Sequence, residues 1–225
     1  PSSKFLHRPV EGPKEQRLPN YERVKHLLAD IDWELDQGPT APYGDWAVEN
    51  REEFALVAAA RLPIVKKACE SGKYNGIVLL GGGEPGFHAS REIGRRHNIP
   101  VVGCAHSQMH MATLLGTRFS VIDLAENHSS YYAGLIRQHG YADRCASIRN
   151  LHLPHARPGL DAAINLYVQK EEVLAKGTSE MFEMAVDNAV KAIEEDGAEV
   201  FIFGCSALYW MAPYLRSEEH TSELQ

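Results

Sequence analysis

The sequence predicts an α/β fold built on parallel strands, and three observations lead there. Short, wholly apolar runs alternate with helical stretches along the chain, the rhythm of strand–helix units. Two of these runs, GIVLLGGG from Gly76 and AEVFIFGCS from Ala198, empty into small residues, so two strand ends could face one cleft. Asp196-Gly197 closes the helix before the second run, glycine being able to turn left-handed after a last helical turn.

Taken in order, Pro1 to Asn20 reads as an irregular lead-in rich in Pro, Lys, Arg and Glu. Tyr21 to Leu28 is expected as a short helix, and Ile31 to Leu35 as a short strand alternating Ile31, Trp33 and Leu35. Asp36 to Asp45 is a Gly/Pro loop, followed by a strong helical segment from Val48 to Ser71 interrupted by Pro63. Ile77 to Leu80, apolar, partly β-branched and bounded by glycines, suits a strand buried on both faces. Next come helix Phe87–His97, strand Val101–Val102, helix Gln108–Leu115, strand Phe119–Ile122 and helix Ser129–His139. The remainder reads as a strand within Ala146–Leu153, a Pro-containing loop, one long helix Glu171–Glu195, strand Glu199–Phe203 and a last helix from about Trp210.

The 225 residues suit one domain or two small halves sharing one sheet, and 44% hydrophobic with 24% charged content is ordinary for a folded chain. The net charge of −7, with Lys and Arg scattered, argues against a nucleic-acid partner. No apolar run approaches the ~20 residues of a membrane span, so a soluble, cytoplasmic enzyme without membrane association is expected. Four cysteines without a C-x-x-C pair, and eleven histidines without H-E-x-x-H spacing, support neither a disulfide framework nor a metal site. Residues 216–225, RSEEHTSELQ, look like the translation of a common sequencing adaptor and are set apart from the fold.

Gly81 to Gly86 satisfies G-x-G-x-x-G after a strand and before a helix. Two details oppose a dinucleotide: VVGCAH at Val101 to His106 lacks the acidic residue expected there, and Pro85 removes one N–H from the turn. The N–H groups of Gly82, Gly83 and Glu84 suit a small anion, or the glycines simply serve a tight turn. Cys205 follows a strand and precedes a helix, whose end is expected to lower its thiol pKa. Cys69 and Cys145 sit within elements and read as packing, whereas Cys104, at a strand end, stays open. His106 and His110 could share a helix face; Glu84 is a base or a solvated turn residue; Tyr131 and Tyr132 read as packing.

The segments GGGEPGFHASRE, IPVVGCAHSQMHMA, LGTRFSVIDL and GAEVFIFGCSAL resemble, in order and spacing, the Asp/Glu/hydantoin racemase family. PSS at Pro1 to Ser3 looks like the remnant of that family's Asn-Pro-Asn-Ser/Thr loop, which implies that the first strand and a C-terminal strand and helix are missing. The resemblance implies two pseudo-symmetric three-layer lobes, about 1–116 and 117–215, with mainly parallel sheets and the active site between them. It also implies a small carboxylate or hydantoin-like substrate, no pyridoxal phosphate or other cofactor, no metal, and a homo-oligomer. Family members place two cysteines on opposite faces of the substrate's α-carbon, one removing a proton and the other delivering one. Carried over, the second is Cys205, with Ser206 and Ala207 as oxyanion donors and Ser2, Ser3, Gly81, Gly82 and Gly83 beside the substrate. The first falls at Gly81 and is absent. The resemblance therefore leaves open a racemase in which Glu84 or His106 substitutes, a one-cysteine decarboxylase of the arylmalonate kind, or a non-catalytic small-anion-binding domain. Trp33, Tyr43, His106 and Tyr209 are the candidates for side-chain specificity.

Overall fold

A computed structural model describes residues 12–18, 20–39, 41–44, 46–160 and 164–215. Ser2, Ser3 and residues 216–225 lie outside the described residues. Among the described residues, five parallel strands form two sheets: β1 (Ile77–Leu79) pairs with β2 (Val101–Gly103), and β3 (Phe119–Asp123) lies between β4 (Cys145–Asn150) and β5 (Val200–Phe203). All five residues of β3 are buried, as the apolar run requires of a central strand covered on both faces.

The helices, in chain order, are α1 (Lys14–Arg17), α2 (Tyr21–Val24), α3 (Arg51–Glu70), α4 (Phe87–Arg96), α5 (Cys104–Leu115), α6 (Glu126–Gln138), α7 (Leu166–Lys176), α8 (Glu180–Glu194) and α9 (Ala212–Leu215). Alternation along β3 decides the layers. Phe119 and Val121 pack with Ala105 and Met109 of α5 and with Tyr132 and Leu135 of α6. Ile122 turns the other way, onto Met181, Phe182, Ala185 and Ala189 of α8. A third cluster joins Val65 and Cys69 of α3 to Leu79, Phe87 and Val101 around the smaller sheet. No helix among the described residues is long and apolar enough to cross a membrane.

Several sequence expectations give way here. The run from Ile77 is a strand but not one buried on both faces, because the helices around the smaller sheet cover only the side of Leu79 and leave Val78 63% exposed. Ile31 to Leu35 forms no strand: Ile31 is exposed, and Trp33 packs on Tyr21 with the Lys14 ammonium over its ring, so local contacts take the place of a sheet neighbour. Pro63 does not interrupt α3, which runs unbroken for 20 residues. The single helix expected over Glu171–Glu195 is two, because Gly177 takes φ +83° and Ser179 caps α8 by accepting the Phe182 N–H. Helix α5 starts at Cys104 rather than Gln108, directly off β2. The segment after Cys205 is a 3-10 turn, Ser206–Met211, running into α9.

Candidate active site

Two strand exits meet. The loop after β1 presses so closely on the loop after β5 that a Cβ at Gly82 would lie 1.7 Å from the Gly204 carbonyl oxygen. Only glycine permits that approach. Tyr132 of α6 locks the contact from beneath, its hydroxyl donating to the Gly82 carbonyl at 2.6 Å. Arg61 of α3 binds the glycine turn at both ends, donating to the Leu80 carbonyl at 3.2 Å and the Pro85 carbonyl at 3.1 Å.

Above this junction lies a cavity of about 340 Å³ bordered by Gly81, Gly82, Gly83, Cys205, Ser206 and His155. Tyr43, Trp46, Phe54, Tyr132 and Tyr209 supply an aromatic wall. Of the sequence candidates for specificity, Tyr43 and Tyr209 border the cavity, whereas Trp33 and His106 do not.

Cys205 is buried, and its Sγ lies 3.7 Å from His155 Nε2. Burial first, and the neighbouring Asp123 carboxylate second, push the thiol up to about 12, although the Ala207 N–H directed at the sulfur works the other way. That reverses the expectation of a lowered thiol pKa. The 3-10 segment beyond Cys205 is too short, and the thiol too deeply buried, for a terminal dipole to prevail. Ala207, expected as an oxyanion donor, directs its N–H at Sγ, while Ser206 borders the cavity.

Sequence reasoning missed three buried neighbours. Asp123 ends β3, and its Oδ1 accepts the Leu124 N–H at 2.6 Å and faces His128 Nδ1 at 3.0 Å. His128 Nε2 lies 3.0 Å from the Val48 carbonyl. Burial opposes a charge on His128, but Asp123 and the Val48 carbonyl outweigh it and raise the imidazole's pKa. A carboxyl inside a mostly apolar run, as Asp123 is in FSVIDL, is the signal that could have exposed this cluster. Nothing periodic marks His155.

His155 is held by its loop rather than by an element. Two residues on, Arg157 donates to both Glu53 oxygens, at 2.7 and 3.2 Å, and pairs with Glu49 at 3.1 Å. Glu53 is positioned by the start of α3, where Asn50 accepts its N–H and Glu53 in turn accepts the Glu49 N–H. Burial raises the Glu53 carboxyl, yet the hydrogen bonds from Arg157 prevail and hold it below the ordinary carboxylate range. A depressed native pKa contributes stability that is present at neutral pH and lost as the pH falls through that native value. Glu53→Gln is therefore expected to cost about 2 kcal/mol at neutral pH by leaving Arg157 poorly paired. Urea melts at a series of pH values should show the variant losing less stability than the parent as acid is added.

Glu84 and His106, expected as substitutes for the absent first cysteine, are turned away from the cavity. Glu84 is buried with φ +50°, one oxygen accepting the His106 N–H at 2.7 Å and the other facing His139 Nε2 at 3.1 Å. The His106 ring stacks on His139 with centroids 4.5 Å apart, and burial followed by His139 lowers its pKa. These groups brace the turn from behind. Gly81 itself sits at φ +117°, with open space where a side chain would begin.

Comparison with known proteins gives a consistent picture. The Asp/Glu/Hydantoin racemase family model matches residues 36–221. A hydantoin racemase from Pseudomonas sp. (strain NS671) is 27% identical over 175 residues, covering 78% of this chain and 62% of that protein. A hydantoin racemase from Paenarthrobacter aurescens is 28% identical over 175 residues, covering 78% of this chain and 66% of that one. The chain thus spans somewhat less than two thirds of these relatives' length. Among solved structures, an allantoin racemase from Klebsiella pneumoniae superposes with a TM-score of 0.60 at 26% identity, covering 82% of this chain and 65% of that one. An allantoin racemase from Pseudomonas fluorescens shares the fold, with a TM-score of 0.61 at 22% identity over 86% of this chain and 76% of that one. With the family matched over most of its length, and both glycine-rich strand exits meeting at one cavity, the chain belongs to the Asp/Glu/hydantoin racemase family.

Proposed function

We propose that the chain is a cofactor-independent isomerase that moves a proton at a carbon α to a carbonyl, in a small hydantoin- or allantoin-like ring or a small carboxylate. The observation that carries the reading is Cys205, the one thiol bordering the cavity among the described residues. Hydantoin and allantoin racemases among the relatives support the substrate class.

The chemistry follows from the thiol's resting state. With its pKa pushed up to about 12, Cys205 rests protonated and is an acid first. The α-proton leaves to solvent from the face beside Gly81, where no side chain stands, and Cys205 delivers its proton to the opposite face of the planar enolate, while N–H groups of Gly82, Gly83 and the Ser206 segment stabilise the developing oxyanion. Acting as a base requires the thiol proton to leave first, and His155 Nε2, 3.7 Å from Sγ, is placed to accept it. The aromatic wall of the cavity lowers the local dielectric and strengthens each of these electrostatic terms.

A second reading, a one-cysteine decarboxylase, is favoured by Gly81. A glycine offers no group for the opposite face, and a decarboxylation generates its own carbanion, so that one proton donor suffices. The full chain incubated in D₂O with chiral 5-substituted hydantoins, allantoin, amino acids and substituted malonates separates the two. Deuterium at the α-carbon with loss of optical rotation supports the isomerase. Release of CO₂ with label on one face supports the decarboxylase, and binding without turnover of any substrate removes both.

A further inference from the structure

Asp123, His128 and Cys205 each direct one donor atom into the same space, the three lying within 4.8 Å of one another, all buried. They come from the end of β3, the first turn of α6 and the exit of β5, so the sheet brings together residues distant in sequence. Proximity alone would say little, but three further observations bear on it.

Asp123 is fully buried, and while its Oδ1 is hydrogen-bonded, its Oδ2 has no hydrogen-bond partner. A buried carboxylate oxygen left without a partner is costly, on the order of 1–3 kcal/mol or more. His128 Nε2 faces the Val48 carbonyl, which can only accept, so Nε2 carries a proton and Nδ1 is the atom turned into the cluster. A ring N–H fixed by a backbone carbonyl, with the opposite nitrogen turned inward, is how proteins orient metal-binding imidazoles. Finally, Cys205 Sγ is buried with His155 Nε2 3.7 Å away, an imidazole placed to relay to solvent the proton that a metal displaces from the thiol.

We propose that Asp123 Oδ2, His128 Nδ1 and Cys205 Sγ form a three-ligand site for Zn²⁺ or a similar borderline-soft cation, open toward the cavity, and that the ion inhibits the protein by sequestering the thiol. Mixed S, N and O donors with an open fourth position are characteristic of zinc. On binding, S–Zn and N–Zn bonds replace the thiol S–H and the imidazole Nδ1–H, and the two protons pass to solvent with no change of oxidation state. Gly204 is a further requirement, since a Cβ there would lie 2.2 Å from Asp123 Oδ2. The inhibitory consequence rests on Cys205 being the reacting group; the binding site does not.

Chelator-treated full-length protein is titrated with Zn²⁺ by calorimetry and with Co²⁺ by absorption. One ion per chain is expected, with a sulfur-to-Co²⁺ charge-transfer band. Cys205→Ala should abolish the band and weaken Zn²⁺ binding about 100-fold, and His128→Gln should weaken it by at least about 10-fold. Cys104→Ser should leave both unchanged. Should His128→Gln fail to fold, Cys205→Ser, which preserves size, replaces it and should still remove the sulfur band. No saturable binding, or binding unaltered in Cys205→Ala, overturns the site. Turnover by the metal-free protein that Zn²⁺ leaves unaffected overturns the inhibition. A site that binds in a protein turning over no substrate instead removes the isomerase reading and leaves the site standing.

Discussion

Cys205→Ala is expected to lower turnover by about 10²- to 10⁴-fold, the usual contribution of a positioned acid–base group. The expectation is large because nothing stands in for the thiol. Gly81 has no side chain, Glu84 and His106 face away from the cavity, and no other cysteine borders it among the described residues. The fold should survive, since the substitution removes one sulfur atom from a residue that is 9% exposed, and a stability change of about 1 kcal/mol is expected. Circular dichroism and a urea melt establish that the variant is folded; α-proton exchange in D₂O then reads the chemistry. His155→Asn should act less severely and selectively, slowing proton removal by the thiol more than delivery from it. An unchanged exchange rate in Cys205→Ala overturns the assignment.

Gly82→Ala is expected to be the most damaging single-methyl substitution at the site. The new Cβ would stand 1.7 Å from the Gly204 oxygen and 3.0 Å from the Tyr132 hydroxyl. Neither neighbour can yield cheaply: Gly204 is tied to β3 through the Ile122 carbonyl at 2.8 Å, and Tyr132 is 1% exposed within the core. Parting the loops breaks the Tyr132–Gly82 hydrogen bond and opens the cavity floor, for a cost of about 3 kcal/mol or more together with loss of substrate binding. Gly81→Ala is the control. It meets nothing within 4 Å, so only its φ of +117° opposes it, for about 1–2 kcal/mol. Urea denaturation of the pair distinguishes a collision from backbone strain; equal losses in the two variants contradict the close loop contact.

Elements were legible wherever local pattern and tertiary demand agreed. The apolar runs at Ile77, Val101, Phe119 and Val200 all became strands, as their hydrophobicity signals, but only the run at Phe119 is buried along its whole length; Val78 and Val102 leave one face of the smaller sheet exposed. Ile31 to Leu35 failed because alternation describes a half-buried strand only when a neighbouring strand exists to pair with it. Gly177-Thr178-Ser179 carried both a stop and a start signal inside a long periodic stretch, and there the caps outweighed the period.

The site divided along the same line. Composition and spacing exposed Cys205 and the glycines, since small residues after an apolar strand betray a backbone that must be approached closely. The sequence by itself thus determined the α/β class, the family resemblance, the candidate thiol Cys205 and the small-residue strand exits. Tertiary structure decided the rest: Asp123, His128 and His155 beside the sulfur, Glu84 and His106 behind the turn, and a thiol pushed up rather than down. The reason is physical. Strand formation and glycine-dependent turns follow from neighbours in the chain, whereas burial and the charges around a thiol depend on groups dozens of residues away that only the packed sheet brings together.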